Sequence, residues 1–190
     1  MVVMADKSVP TSDHIRDIIS FVEASPTSYH AVAELTRRLE QAGFQRLEET
    51  ESWPSVEGRR YAVRDGAVIA WITPEKVTPQ LGARIVGSHT DSPSFKLKPN
   101  ATVTNQGWQQ VGMEVYGGGL LNSWLDRDLG LSGRLVTCDG QAHLVRTGPI
   151  LRISQLAPHL DRTVNDDLKL DRQRHLMPIL SVGKLSLIHI

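Results

Sequence analysis

The prediction of the fold starts from residues 83–93, which carry the sequence ARIVGSHTDSP. The short, mostly apolar run at 83–87 predicts a buried strand. That strand continues directly into His89, Thr90 and Asp91, so these polar side chains follow its carboxyl end. Ligands of open α/β sheets bind beyond the carboxyl ends of the strands, and this segment is therefore a candidate functional site.

Two helices and a hairpin precede the predicted strand. Apolar residues at helical spacing predict a first helix, which begins at Ser12 or Asp13 and ends at Ser25-Pro26. A second helix starts near Ser28 and ends at Gly43, where a left-handed cap is typical. The dipeptide Asp65-Gly66 predicts the turn of a hairpin. This order of elements predicts an α/β domain with a central sheet.

The amino-acid composition changes near residues 96–100, where we expect a domain boundary. The three glycines at 117–119 indicate a backbone that bends tightly or is closely approached. They do not form a phosphate-binding loop, because no Gly-Lys-Ser/Thr follows them. The later elements predicted from the pattern are strands at 129–137, 141–146 and 149–153 and a short helix at 154–160.

Composition excludes several classes of protein. The 190 residues include 21 basic and 21 acidic side chains, a net charge of 21 − 21 = 0, which argues against nucleic acid as a partner. No apolar run is long enough to span a membrane, so we expect no membrane partner. The single cysteine, Cys138, excludes an intrachain disulfide framework and a multi-cysteine zinc site. Residues 1–10 lack the apolar core of a secretory signal, so the expected location is cytoplasmic.

Two local patterns carry candidate chemistry. His89 and Asp91 are two residues apart, so in extended backbone both side chains point the same way. The imidazole could then ligate a metal while the carboxylate orients it, or both could simply cap a turn. Asp126 and Asp128 flank Arg127, and on local evidence they form a structural ion-pair cluster. His159 is an isolated histidine, for which a structural role is the commoner outcome.

Taken together, the ordered blocks resemble the M18 metallo-aminopeptidases, the aspartyl aminopeptidase family. The first block is SPTSYHAVAE at 25–34, and the second is GSHTDSP at 87–93 with Lys96-Leu-Lys98 after it. The third is YGGGLLNSWLDRDL at 116–129. Further matching blocks follow in order at 133–134, 149–153, 156–160 and 175–180.

The resemblance implies a domain organisation. Residues 1–97 would be the N-terminal part of a three-layer αβα catalytic domain of the zinc-exopeptidase type. Residues 98–184 would be a β-rich inserted domain used for dimerisation and larger oligomers, incomplete here. Residues 185–190 no longer resemble the family, and we expect them to be a non-native tail.

The resemblance also implies a reaction and a set of residues. Family members use two adjacent zinc ions to release one residue, often acidic, from the N-terminus of peptide substrates, and they work as homo-oligomers. By motif, His89 would be a metal ligand and Asp91 the carboxylate that orients it. His159 would reach from the inserted domain toward a partner subunit's active site, where it could contact substrate or the oxyanion.

The remaining ligands and the general base of the family follow the inserted domain and have no match in this chain. We therefore expect a truncated chain that is inactive by itself, since one histidine and its orienting carboxylate cannot hold a pair of metal ions. The alternative is a non-catalytic fragment that binds a full-length homologue through the inserted domain.

Overall fold

The computed structural model of the protein describes residues 12–53, 57–76, 78 and 82–183. The described chain divides into two units. The first unit contains the residues up to Asp91 together with Gly133–Leu144, and the second contains Ser92–Ser132 together with the residues from Val145 onward. Residues 1–11 and the predicted non-native tail lie outside the described residues, and the predicted boundary at 97–98 stays a prediction.

Both predicted helices are confirmed. Helix α1 spans Asp13–Ala24, and the side chain of Ser12 caps it by accepting a hydrogen bond from the amide of Ile15. Helix α2 spans Ser28–Gln41, with Thr27 as its cap. Within the described residues, no helix is long and apolar enough to cross a membrane.

A three-stranded mixed sheet completes the core of the first unit. Its strands are β1 (Gln45–Arg46), β2 (Gly58–Arg64) and β3 (Ala67–Thr73), in the order β1-β2-β3. The turn at Asp65-Gly66 joins the antiparallel strands β2 and β3, as predicted, while β1 runs parallel to β2. The buried residues of this unit come from α2 and β2: Ala31, Val32, Tyr61 and Ala62.

The prediction of a buried strand at 83–87 is wrong. This segment has no strand hydrogen bonding in the structure, and Ile85 and Val86 are 87% and 98% exposed. A strand needs a hydrogen-bonding neighbour, and buried apolar side chains need a facing layer. No described strand of the first unit pairs with this segment, so it forms no strand and its apolar side chains stay exposed.

The strands after β3 are β4 (Ser94–Asn105), β5 (Trp108–Tyr116), β6 (Asp128–Leu129), β7 (Ser132–Val136), β8 (Ala142–Arg146), β9 (Leu151–Arg152) and β10 (Ile179–Val182). A five-stranded sheet forms the second unit, in the order β4-β5-β10-β9-β6. Its long hairpin, β4–β5, closes at Gln106-Gly107, where both residues have positive φ, as a hairpin turn of type I′ requires. A 3₁₀ helix at Leu121–Trp124 lies between β5 and β6. Strands β7 and β8 form a separate two-stranded sheet.

Two apolar clusters hold the second unit together. One contains Val111, Met113 and Leu151, and lies where β5 and β9 contribute their apolar side chains. The other contains Leu125, Ile153 and Leu176, with the ring of Phe95 against that of Trp124 at 4.6 Å between centroids. These clusters fix β9 and the residues that follow it.

Two further predictions, at 129–137 and at 154–160, differ from the structure. The predicted strand at 129–137 is two strands, β6 and β7, separated at Gly130-Leu131. The predicted helix at 154–160 is wrong, because residues 154–157 form no regular secondary structure and residues 158–160 form a turn. Pro158 lacks an amide donor and disfavours helical backbone at Ala157, which explains the difference.

Candidate active site

The segment that carries His89 is attached to the first unit beside the β2–β3 turn. The hydroxyl of Thr90 donates a hydrogen bond of 2.6 Å to the carbonyl of Gly66. Gly66 also lies close to helix α2, since a Cβ at this position would lie 2.7 Å from the hydroxyl oxygen of Ser28. This contact places the polar residues next to the hairpin, although the strand predicted before them is absent.

The structure brings His89 and Asp91 together. Nδ1 of His89 lies 2.6 Å from the backbone oxygen of Asp91 and 3.4 Å from its Oδ1. A carbonyl oxygen only accepts, so Nδ1 carries the proton, and in the neutral ring the lone pair is on Nε2. The His89 side chain is 78% exposed. Nε2 is therefore the atom that could ligate a metal ion.

The fit of these residues to a zinc site is partial. An imidazole whose other nitrogen donates to a main-chain oxygen beside a carboxylate is a common arrangement for a zinc ligand. However, a zinc site needs three or four protein ligands. In the part of the chain that the structure describes, no group of three or more His, Cys, Asp or Glu side chains could hold a metal ion. His89 is thus suited to be one ligand, and no catalytic step follows from these residues alone.

His159 belongs to the second unit and lies at an exposed turn. The amides of Leu160 and Asp161 donate to the carbonyl of Ala157, at 2.8 and 3.1 Å, which closes the turn around it. The flanking side chains of Leu156 and Leu160 are 55% and 76% exposed. An imidazole at the tip of a loop, with apolar neighbours, is suited to contact another molecule.

The acidic cluster at 126–128 has a partner that local sequence did not reveal. The Arg152 guanidinium lies 3.7 Å from a carboxylate oxygen of Asp126 and 3.2 Å from one of Asp128. The predicted ion-pair cluster therefore exists. In the described contacts, its cation is Arg152 rather than Arg127. A basic residue inside the apolar run at 149–153 was the available signal, because a charge among apolar residues needs a partner.

A cavity of about 240 Å³ lies in the second unit, between β5 and the segment 154–179. Half of its lining residues are apolar, including Leu168 and Leu170, and Arg174 and His175 are among the polar ones. Neither His159 nor any residue of the 126–128 acidic cluster lines it. The cavity is therefore separate from the candidate residues of this unit.

Comparison with known proteins agrees with these motifs. The family model described as "Aminopeptidase I zinc metalloprotease (M18)" matches residues 21–188. A Streptomyces avermitilis protein named "Probable M18 family aminopeptidase 2" is 54% identical over 172 residues, which are 90% of this chain and 40% of that protein. The chain thus spans about 40% of the length of the curated relatives that it matches.

Solved structures give the same relationship. The chain is similar, with a TM-score of 0.80 and 36% identity, to a chain in the "Cryo-EM structure of the Ape4 and Nbr1 complex", covering 89% of this chain and 34% of that one. It is similar, with a TM-score of 0.70 and 32% identity, to the "S. cerevesiae mApe1 dodecamer", covering 77% of this chain and 36% of that one. These neighbours have an αβ fold with a mixed sheet. The chain belongs to the M18 family of zinc metalloproteases, of which it matches an N-terminal portion.

Proposed function

We propose that this chain is the N-terminal portion of a cytoplasmic zinc aminopeptidase that releases N-terminal residues, including acidic ones, from peptides. The observation that carries the proposal is the pair His89 and Asp91, held together in a chain that matches a zinc metalloprotease family over most of its length. In this proposal His89 is a zinc ligand through Nε2, and Asp91 orients it. Residues 1–97 would belong to a three-layer αβα catalytic domain and 98–184 to the inserted domain.

Two zinc ions would supply the chemistry when bound, by activating a water molecule and polarising the peptide carbonyl. The part played by this chain's own residues is narrower. Nδ1 of His89 donates its proton to the backbone oxygen of Asp91. This hydrogen bond orients the ring and leaves Nε2 as the atom that can bind a metal ion.

His159 would act in a homo-oligomer, reaching toward the active site of a partner subunit. Its exposed turn supports this role, and so does the assembly of a structural neighbour as a dodecamer. A histidine N–H at that point could donate a hydrogen bond to substrate or to the developing oxyanion.

The test uses a chimera in which residues 12–183 of this chain replace the matching residues of the Streptomyces avermitilis relative. We expect the chimera to release N-terminal residues from peptides and to lose this activity with a chelator. His89→Ala should reduce kcat/KM by at least about 100-fold, and Asp91→Asn by about 10- to 100-fold. His143→Ala, at another exposed histidine, is the control and should change little. Full activity in His89→Ala would disprove the assignment.

By itself, the 190-residue chain should show no peptidase activity, because its described residues supply no group of three metal-binding side chains. The alternative function is a non-catalytic fragment that binds a full-length homologue through the inserted domain. Activity measurements on a mixture of the purified chain with the Streptomyces relative decide between them. A change in the relative's activity that saturates with added chain, together with an inactive chimera, would favour the alternative.

A further inference from the structure

Asp126 has a backbone conformation that calls for an explanation. Its φ is +52°, in the left-handed region that side chains other than glycine rarely adopt, although aspartate and asparagine tolerate it best. Such a conformation persists only where the surrounding contacts hold it. The contacts of Asp126 therefore indicate what this residue is for.

The described polar contacts of Asp126 all go to one short segment, residues 152–155. Its amide donates to the carbonyl of Ile153 at 2.8 Å, and its own carbonyl accepts from the Arg152 guanidinium at 2.9 Å. Its carboxylate accepts from the amide of Gln155 at 3.3 Å and lies 3.7 Å from Nε of Arg152. One residue thus holds the end of β9 and the first part of the chain that follows it.

The segment held in this way leads directly to His159. Gln155 is four residues before the histidine, and the turn that presents His159 closes on Ala157. The other side of the loop is fixed as well: the Asp161 carboxylate accepts from the amide and hydroxyl of Thr163, and Val164 is buried. His159 therefore lies on a loop that is anchored on both sides, and Asp126 is the anchor on the strand side.

We infer that Asp126 is a positioning residue for His159, acting through the amide of Gln155 and the guanidinium of Arg152. The inference rests on the role of His159 in the proposed function. What it states about the structure is that Asp126 holds the loop in place. Asp128 contacts the same guanidinium, at 3.2 Å, and has no described hydrogen bond to the loop. Asp128 is thus a matched control: it shares the ion pair without the loop contact.

The experiment measures amide hydrogen exchange of residues 154–161 in the 190-residue chain, with the His159 ring followed by NMR. Asp126→Gly keeps the backbone conformation and removes the carboxylate, so exchange at 154–161 should rise about tenfold. Asp126→Asn keeps an oxygen that can accept from Gln155 and should restore most of the protection. Asp128→Asn should leave exchange within about twofold of the parent chain. The His159 ring resonances should broaden only in Asp126→Gly.

Two results would overturn the inference. One is unchanged loop exchange in Asp126→Gly. The other is a rise spread evenly over β5, β9 and β10, which would mean that Asp126 only stabilises the sheet. Neither depends on peptidase activity, so failure of the proposed function and failure of this inference are distinguishable. In the active chimera, Asp126→Gly should act like His159→Ala on kcat/KM, and the double variant should lose no more than His159→Ala alone.

Discussion

At the scale of single residues, Glu34 shows how charge joins the two helices. Its carboxylate accepts hydrogen bonds from Arg37 at 2.6 Å and from Arg38 at 2.7 Å. Arg38 also reaches Asp17 of α1, at 2.7 Å. The hydrogen bond from Arg37, followed by that from Arg38, lowers the pKa of Glu34 from 4.5 to about 2. The charged form of Glu34 is therefore part of the folded state.

This lowered pKa predicts a pH-dependent contribution to stability. Because the folded pKa lies below the unfolded one, Glu34 stabilises the fold fully above pH 4.5, and the contribution is lost as the pH falls toward 2. Glu34→Gln should lower the free energy of unfolding by about 1 kcal/mol at neutral pH. The difference should shrink in urea titrations repeated at decreasing pH. Glu51→Gln, at an exposed glutamate, is the control, and a Glu34→Gln difference that is independent of pH would contradict the prediction.

The candidate site could be predicted from the sequence only as far as its contacts are local. His89 and Asp91 are two residues apart, so extended backbone was enough to predict that they meet. Arg152 is 26 residues from Asp126, and only the pairing of β6 with β9 brings them together. Side-chain pairs that depend on strand pairing need the register, which periodicity does not supply.

At the scale of elements, the glycines after β5 have unequal importance. Gly117 has a φ of +76°, and a Cβ there would lie 3.2–3.3 Å from atoms of Pro93. Among the described residues, no atom lies within 4 Å of a Cβ at Gly118, and the φ of Gly118 is not in the left-handed region. The predicted tight turn and close approach both belong to Gly117.

Gly117→Ala should therefore destabilise the second unit by about 1–2 kcal/mol, from backbone strain and the contact with Pro93. Gly118→Ala should change the free energy of unfolding by less than about 0.5 kcal/mol. Urea unfolding followed by the fluorescence of Trp108 and Trp124 measures both. Equal effects of the two substitutions would show that the conformation of Gly117 is not what the turn requires.

Local signals account for the elements that were predicted correctly. Ser12, Pro26 and the Asp65-Gly66 turn act within a few residues, so α1, α2 and the β2–β3 hairpin could be predicted. The β4–β5 hairpin is not predicted, although Gln106-Gly107 marks its turn, because the change of composition near residues 96–100 predicts a domain boundary there. The segment 83–87 has the composition of a buried strand, but burial depends on neighbouring layers rather than on composition.

At the scale of the whole molecule, apolar side chains remain exposed on the first unit. Ile85 and Val86 are the most exposed, and Ile15, Ile18 and Ile19 of α1 are about half exposed. Contiguous exposed apolar residues favour association between molecules. The 190-residue chain should therefore self-associate at high concentration.

Replacing Ile85 and Val86 with serine should reduce that association severalfold in static light scattering. The free energy of unfolding should change by less than about 0.5 kcal/mol, because neither side chain is packed. A loss of stability of about 2 kcal/mol or more would mean that these side chains are buried in solution, contrary to the structure.

The most direct test of the central claim, that His89 is a zinc ligand oriented by Asp91, is the zinc content of the chimera after dialysis against metal-free buffer. We predict about two zinc ions per subunit in the parent and in His143→Ala, and the loss of about one in His89→Ala. Asp91→Asn should keep both ions at high zinc concentration and lose one about 10- to 100-fold more readily as zinc is lowered. Two tightly bound zinc ions in His89→Ala would contradict the account.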